Sequence, residues 1–399
     1  MGGLHIVAVA NFYGPRSGGL RTCLQQLGRG YRAAGHGYTV VVPGARNTVS
    51  DNDFGRVYTV RGPRVPGTGG YRVVLRRQLV AELLSELRPD RLEVSDRTTL
   101  HALVGWARRH RVPSVFYAHE RVDGVLRAMR LPAWAATRLA DLRNRQTAYS
   151  FDAVVATTAF AAGEFDRIDA AVQRIPLGVD LNAFHPGAAA DANSGAAQQV
   201  SAYQLLLCSR LSVEKRPELA LQTVAELARR NVSVTLTVAG DGPRRAALEQ
   251  SAAGLPVRFL GFVADRQRLA GLLADADVLL APGPIETFGL AALEALASGT
   301  PAVVHAASAL PEVIGDDPAA GAAAAGPEEM ADAVQRLLTI PRSDRRLAAR
   351  RRAERFPWEA TTAALLQLHE GLGEQLSAAS AASAASAASA GRAGSWDLR

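Results

Sequence analysis

The chain reads as α/β, with two Rossmann-like, doubly wound domains facing a central cleft. Three observations predict this. Short apolar runs alternate with helical patterns along most of the sequence, as parallel sheets covered on both faces require. The alternation restarts after a charge-poor stretch at 186–204. At 399 residues there is enough chain for two ordinary domains, each with its own core.

The first domain, 1–185, carries strand patterns at His5–Ala10, Thr39–Pro43, Val57–Val60, Arg91–Val94, Ser114–Ala118, Ala153–Thr157 and Gln173–Leu177. Residues 186–204 are rich in Ala, Gly, Asn and Gln with Asp191 as their charge, a linker composition. The second domain, 205–355, repeats the pattern at Leu205–Ser209, Ser233–Ala239, Val257–Gly261, Val278–Ala281 and Pro301–Val304. In 356–375, Phe356-Pro-Trp-Glu-Ala followed by Leu365, Leu366 and Leu368 predicts an amphipathic helix that packs back on the first domain. The Ser-Ala-Ala repeats of 376–399 lack side chains to build a core, so a disordered tail is expected.

Charge is unevenly placed. The chain has 45 Lys+Arg against 38 Asp+Glu, a formal net charge of +7. Residues 1–185 hold 25 arginines and 15 acids, hence +10, and the remainder 20 basic and 23 acidic residues, hence −3. No zinc spacing, aromatic-basic RNA signature or recognition helix accompanies this excess, so nucleic acid is not the expected partner. An anionic membrane surface or lipid headgroup fits a basic face. Arginines 121, 127, 130, 138, 143 and 145, interleaved with Leu126, Met129, Leu131, Trp134 and Leu139, form either such a surface or an ordinary helical pair with a solvated arginine face. Cys23 and Cys208 are expected as buried free thiols in a reducing compartment. No run of about 18 uncharged apolar residues occurs, and the N-terminus leads straight into a strand, leaving no room for a leader. The expected location is cytoplasmic, with the basic face pointing to a peripheral place on the inner side of the plasma membrane.

The most informative motif is Glu286 and Glu294 in Gly283-Pro-Ile-Glu-Thr-Phe-Gly-Leu-Ala-Ala-Leu-Glu294. Val278–Ala281 reads as a buried strand, Gly283-Pro284 breaks it, and helical spacing begins at Phe288. Glu286 therefore lies in a loop beyond the carboxyl end of a strand, where doubly wound sheets bind ligands. The N–H groups of Phe288, Gly289 and Leu290 open the following helix and suit an anion such as pyrophosphate. A carboxylate on either side suits a sugar nucleotide, although a solvated loop glutamate and a surface ion pair fit the spacing equally well.

Arg210 and Lys215, leaving the first strand of the second domain, could clamp a diphosphate, one by a planar fork and the other as a point charge. Lys215 is the only lysine among the 45 basic residues. Gly240-Asp-Gly-Pro243 and Gly261–Asp265 read as ordinary strand-to-helix turns, with Asp265 as an N-cap and the second turn a candidate for holding the base. In the first domain Gly18-Gly19 permits close backbone approach to phosphate or sugar. His119 follows a strand and faces the expected cleft.

In this order, Gly18-Gly19, His119, Pro176-Leu-Gly-Val-Asp180, Arg210 with Lys215, Gly240-Asp-Gly and Glu286 through Pro301 resemble family 4 of the retaining glycosyltransferases, which have the GT-B fold. The resemblance implies that Glu286 and the N–H groups after it hold donor sugar and pyrophosphate. It further implies that Glu294 holds the ribose and that His119 meets the sugar from the opposite wall. The segments Val9–Thr22, Glu93–Leu100 and His119-Glu-Arg121 are similar to actinobacterial mannosyltransferases of phosphatidylinositol mannoside synthesis, which use GDP-mannose. Tyr13, Arg16, Asp96 and Arg97 within them are the acceptor-side candidates. Ser308-Ala309-Leu310 stands where a Gly-Gly is often found before the Pro-Glu, which puts a backbone contact with the donor in doubt.

The implied reaction moves a hexose to an acceptor hydroxyl with retention. No carboxylate for a double displacement is evident, which favours departure and attack on one face. No metal or other cofactor is expected, because the cationic side chains can stabilise the departing diphosphate. The rival readings are transfer to a soluble or polysaccharide acceptor from a GDP- or UDP-sugar, a non-transferring epimerase of the same fold, and a sugar-nucleotide-binding protein without turnover.

Overall fold

The computed structural model describes residues 3–14, 18–66, 70–187 and 202–392. Its first sheet contains β1 (His5–Val9), β2 (Gly37–Gly44), β3 (Thr48–Asn52), β4 (Gly55–Arg61), β5 (Arg91–Val94), β6 (Ser114–Ala118), β7 (Ala153–Ala156) and β8 (Gln173–Arg174). The second contains β9 (Tyr203–Cys208), β10 (Val234–Ala239), β11 (Val257–Gly261), β12 (Val278–Ala281), β13 (Ala302–His305) and β14 (Gly321–Ala324). The spatial orders are β3-β4-β2-β1-β5-β6-β7-β8 and β11-β10-β9-β12-β13-β14. Every pairing is parallel except β3 with β4.

Both sheets are wound outward in two directions from an inner strand, so each has a topological switch point: between β1 and β5 in the first and between β9 and β12 in the second. Ligands bind outside the carboxyl ends of the strands there, because the flanking crossovers leave on opposite faces and open a crevice. The loops after β1, β5, β9 and β12 carry Gly18-Gly19, Ser95-Asp96, Arg210 with Lys215, and Glu286.

The helices of the first domain are α1 (Gly19–Ala33), α2 (Arg77–Leu87), α3 (Val104–His110), α4 (Val122–Ala128), α5 (Ala133–Ser150) and α6 (Ala159–Asp166). Those that follow are α7 (Glu218–Arg229), α8 (Arg245–Ser251), α9 (Arg266–Asp275), α10 (Leu290–Ala297), α11 (Leu310–Ile314), α12 (Pro327–Thr339), α13 (Arg342–Ala353) and α14 (Trp358–Arg392). Central strands are buried on both faces, which is why they read as continuous Val/Ile/Leu/Ala runs. Asp265 caps α9 by accepting from Gln267 N at 2.9 Å.

The expected C-terminal helix returns to the first domain. Its Leu365 and Leu372 are buried with Leu24, Leu27 and Tyr31 of α1, and His369 Nε2 lies 2.9 Å from Glu93 Oε1 with both side chains buried. Thr361 Oγ1 donates to Pro176 O at 2.8 Å and Val179 N to Phe356 O at 2.8 Å, which ties the Pro176-Leu-Gly-Val-Asp180 loop to the start of α14.

Two sequence expectations are corrected, and two strands were missed. The backbone of 376–392 continues α14 as helix where a disordered tail was expected: alanine needs no core to favour a helix already nucleated by packed residues. Residues 393–399, like most of the 186–204 linker, lie outside the described residues. The strand expected at Gln173–Leu177 pairs only over Gln173–Arg174. Strands β3 and β14 were not anticipated, β3 being polar and exposed along its length and β14 being Gly-Ala-Ala-Ala.

Candidate active site

The loop between β12 and α10 turns on a glycine with a steric reason to be one. Gly289 sits at φ +84°, and a Cβ there would lie 2.1 Å from Leu310 Cδ2. A Cβ at Gly283 would lie 3.4 Å from Lys215 Cα, so the loop runs directly beside the Lys215 turn. Lys215 Nζ and Glu286 Oε2 form an ion pair at 2.5 Å, bringing together two residues 71 positions apart. The helix α10 opens at Leu290, two residues later than the sequence spacing predicts, because Phe288 and Gly289 form the turn that precedes it. Among the described residues, the N–H groups of Phe288, Gly289 and Leu290 have no protein acceptor.

Arg210 is held by Glu214 Oε1 at 2.5 Å and by the ring of Tyr71 from the first domain, 5.2 Å from guanidinium carbon to centroid. Its loop is braced by the Gly240-Asp-Gly turn: Leu211 N donates to Asp241 O at 3.0 Å, and Cβ atoms at Gly240 or Gly242 would collide with Ser209 O or Leu211 O. Glu294, just past the first turn of α10, is buried with its nearest cation, Arg266, at 3.8 Å. Burial pushes its carboxyl up to about 7, Arg266 opposing the rise and Asp180 adding to it. Cys208 follows on the strand beside it, its thiol pushed up to about 12 by burial and by Glu294, which suits an inert thiol.

The first domain supplies the facing wall. A Cβ at Gly19 would lie 3.9 Å from Leu290 Cδ1, so the openings of α1 and α10 approach each other across the cleft. His119 is half-buried, stacked on Tyr117 with ring centroids 5.5 Å apart, and its Nε2 lies 3.1 Å from Ser95 Oγ. Desolvation, aided by the Arg97 guanidinium, lowers its imidazole to about 4, so it is neutral at physiological pH.

Two of the acceptor-side candidates make their polar contacts within the first domain. Asp96 spends its buried carboxylate on the turn that follows, accepting from Thr98 N at 3.1 Å and Leu100 N at 2.8 Å. Arg97 is wedged between the rings of Phe116 and Phe165 and donates to Asn144 Oδ1. It reaches the site only as a charge beside His119. Tyr13 packs half-buried against the first core, and Arg16 lies outside the described residues.

Residues that sequence reasoning did not single out join the two walls. The carbonyl of Thr287 accepts from Thr157 Oγ1 at 3.1 Å and Thr158 Oγ1 at 2.9 Å, while Thr287 Oγ1 donates to His119 O at 2.5 Å. Glu312 accepts from Ala159 N at 2.8 Å and Phe160 N at 2.6 Å, the free donors opening α6. The one sequence signal for Glu312 is its place in Pro311-Glu312, at the motif that departs from the family pattern.

Two family models match the two halves: Glycosyltransferase Family 4 over residues 17–183 and Glycosyl transferases group 1 over 202–339. A GDP-mannose-dependent alpha-(1-6)-phosphatidylinositol dimannoside mannosyltransferase of Mycobacterium tuberculosis is 48% identical over 366 residues, 91% of this chain and 95% of the relative. The chain belongs to glycosyltransferase family 4. A D-inositol 3-phosphate glycosyltransferase of Saccharomonospora viridis is 33% identical over 68% of each chain. Among solved structures, a sucrose-phosphate synthase from Thermosynechococcus elongatus superposes with a TM-score of 0.73 at 23% identity, covering 93% of this chain and 100% of that one. An alpha,alpha-trehalose 6-phosphate synthase from Burkholderia multivorans gives 0.69 at 16% identity, covering 95% and 98%. These share the GT-B architecture, and the protein is a GT-B hexosyltransferase.

Proposed function

We propose that this glycosyltransferase moves mannose from GDP-mannose to a phosphatidylinositol mannoside, with retention and without a metal. The observation that carries the donor half is the Lys215–Glu286 pair beside three unpaired N–H groups. A diphosphate entering there meets Lys215, Arg210 and the loop amides, which stabilise the charge that grows as it leaves. Glu286 then faces the sugar hydroxyls, and Glu294 the ribose. The M. tuberculosis relative supports GDP-mannose and the glycolipid acceptor through its similarity along nearly the whole chain.

A lipid acceptor fits the first domain's surface, and the arginine-rich segment divides in two. Arg121 and Arg127 turn inward to the buried Asp123 at 2.9 and 3.2 Å. One exposed stripe of α5 instead carries Trp134, Arg138, Leu142, Arg145 and Tyr149 at helical spacing, with Trp134 70% and Tyr149 82% exposed. Met129 and Arg130 extend it, and none of Arg130, Arg138 and Arg145 pairs with a carboxylate among the described residues. Aromatic rings between unpaired arginines suit the headgroup layer of an anionic membrane, each arginine contributing about 1 kcal/mol near the surface. No helix among the described residues is long and apolar enough to cross a membrane, so we propose peripheral attachment to the inner face of the plasma membrane.

The test offers the purified enzyme GDP-mannose, GDP-glucose, UDP-glucose and UDP-galactose, with phosphatidylinositol mannoside in vesicles or inositol phosphate in solution. Release of GDP from GDP-mannose with mannosylated glycolipid as product is expected. Efficient transfer to the soluble acceptor, or preference for a UDP-sugar, overturns the corresponding half. Vesicle binding should rise with anionic lipid, fall with salt, and weaken in the Trp134→Ala, Arg138→Gln, Arg145→Gln variant, while GDP affinity stays constant.

A further inference from the structure

We infer that Thr157 and Thr158, in the acceptor domain, are positioning residues for the donor loop of the other domain. The peptide joining Thr287 to Phe288 is planar and trans, so its C=O and its N–H point in opposite directions and cannot be aimed independently. Two hydroxyls from the turn between β7 and α6 hold the carbonyl, at 3.1 and 2.9 Å. The same peptide carries the Phe288 N–H, the first of the three donors without a protein acceptor. Pinning one end therefore fixes the direction of the other.

The remaining contacts restrain the same segment from the same side. Thr287 Oγ1 donates to His119 O at 2.5 Å, and a Cβ at Gly124 of α4 would lie 3.0 Å from Ile285 Cγ2. Glu312, at the far end of the loop's support, holds the opening of α6 just beyond Thr158, and Ala309 N donates to Glu286 O at 2.9 Å. Glu286 and Phe288 thus flank a residue whose carbonyl and hydroxyl are both bound by the opposite domain. Thr157, Thr158 and Thr287 are all buried at this contact. Lys215 and Glu294 lie on the second domain and depend on none of these bonds, so they can receive a nucleotide with the domains apart. The Phe288 amide is aligned only when the domains meet, which puts the clamp on turnover rather than on capture. This inference rests on the family's glycosyl transfer and not on the identity of sugar or acceptor.

The experiment compares Thr157→Val, Thr157→Ser and the Thr157→Val, Thr158→Val double variant, using whichever sugar nucleotide the wild type turns over. Thr157 is the cleaner probe, because Thr158 also caps α6 by accepting from Ala161 N. Thr157→Val should lower kcat, and the double variant should lower it by about tenfold or more, as expected for a misaimed charge-stabilising donor. The dissociation constant for GDP should change less than twofold, and Thr157→Ser should restore kcat. A kcat within twofold of wild type in both valine variants overturns the inference. So does a parallel fall in kcat, GDP affinity and thermal midpoint, which marks a structural role, or failure of Thr157→Ser to restore turnover. Thr157→Val alone decides the matter if the double variant does not fold.

Discussion

Glu294 offers the sharpest test of the donor site. Its carboxyl is raised to about 7 by burial, so at pH 7 it is about half protonated without ligand. Ribose hydroxyls donate best to an ionised carboxylate, so GDP selects the ionised form and the bound group loses its proton. Binding at pH 7 should then release about half a proton per site from Glu294. Calorimetric titration with GDP in two buffers of different ionisation enthalpy measures this, read as the difference between wild type and Glu294→Gln because the diphosphate can shed protons of its own. The same shift makes a stability prediction. The folded group holds its proton up to about 7 and the unfolded one only to the model value of 4.5, so stability falls as pH rises through that window, by about 3 kcal/mol at pH 8. Ligand-free Glu294→Gln should therefore gain several degrees in thermal midpoint at pH 8 and much less at pH 5. No difference in proton release between the two proteins, together with a pH-independent change in midpoint, would refute the reasoning.

Lys215→Ala should weaken GDP binding by roughly 10- to 100-fold, the loss of one charge-assisted contact, with little change in thermal midpoint; unchanged GDP affinity in a binding titration excludes it from the clamp. Glu286→Ala should weaken the sugar nucleotide while leaving free GDP unchanged or tighter, since it removes the anion now bound to Lys215; parallel losses for both ligands in competition binding contradict its role at the sugar. His119 titrates near 4 in the folded chain against an ordinary 6.5, so turnover should show no His119 step at pH 6.5. Protonation of the unfolded chain should also cost stability as pH falls from about 6.5 to 4, a slope that His119→Gln flattens in pH-resolved melting curves.

The placement of Glu286 and Lys215 in strand-end loops was legible because its signals are local. A four-residue apolar strand, a Gly-Pro break and a helix pattern place Glu286 and Glu294 without knowledge of any distant residue, and a lone lysine in an arginine-rich chain marks itself. The surroundings of Asp96 and Arg97 were not legible: Asp96 caps the turn that follows it, and Arg97 is packed between aromatic rings brought in from β6 and α6. The Thr157–Thr287 contact spans 130 positions and uses hydroxyls that carry no periodicity, so no sequence pattern could announce it. Strand β14 escaped because Gly-Ala-Ala-Ala has no strand preference of its own and pairs only because β13 lies beside it. The tail shows the converse, where Ala-rich repeats extend a helix that packed residues upstream have already nucleated.

If the proposed donor site is right, its ion pairs impose an order on donor binding. Each cation proposed for the diphosphate has a carboxylate partner on its own domain, Arg210 with Glu214 and Lys215 with Glu286, both at 2.5 Å. These pairs keep the charges from standing unpaired in a partly buried cleft. On the proposed reading, a diphosphate entering the site displaces Glu286 from Lys215 and leaves the released carboxylate for the sugar the same molecule carries. A nucleotide without a sugar provides no new partner for Glu286, and a sugar without a diphosphate cannot free it. On that reading, discrimination for the intact donor is expected from one lysine and one glutamate that exchange partners together.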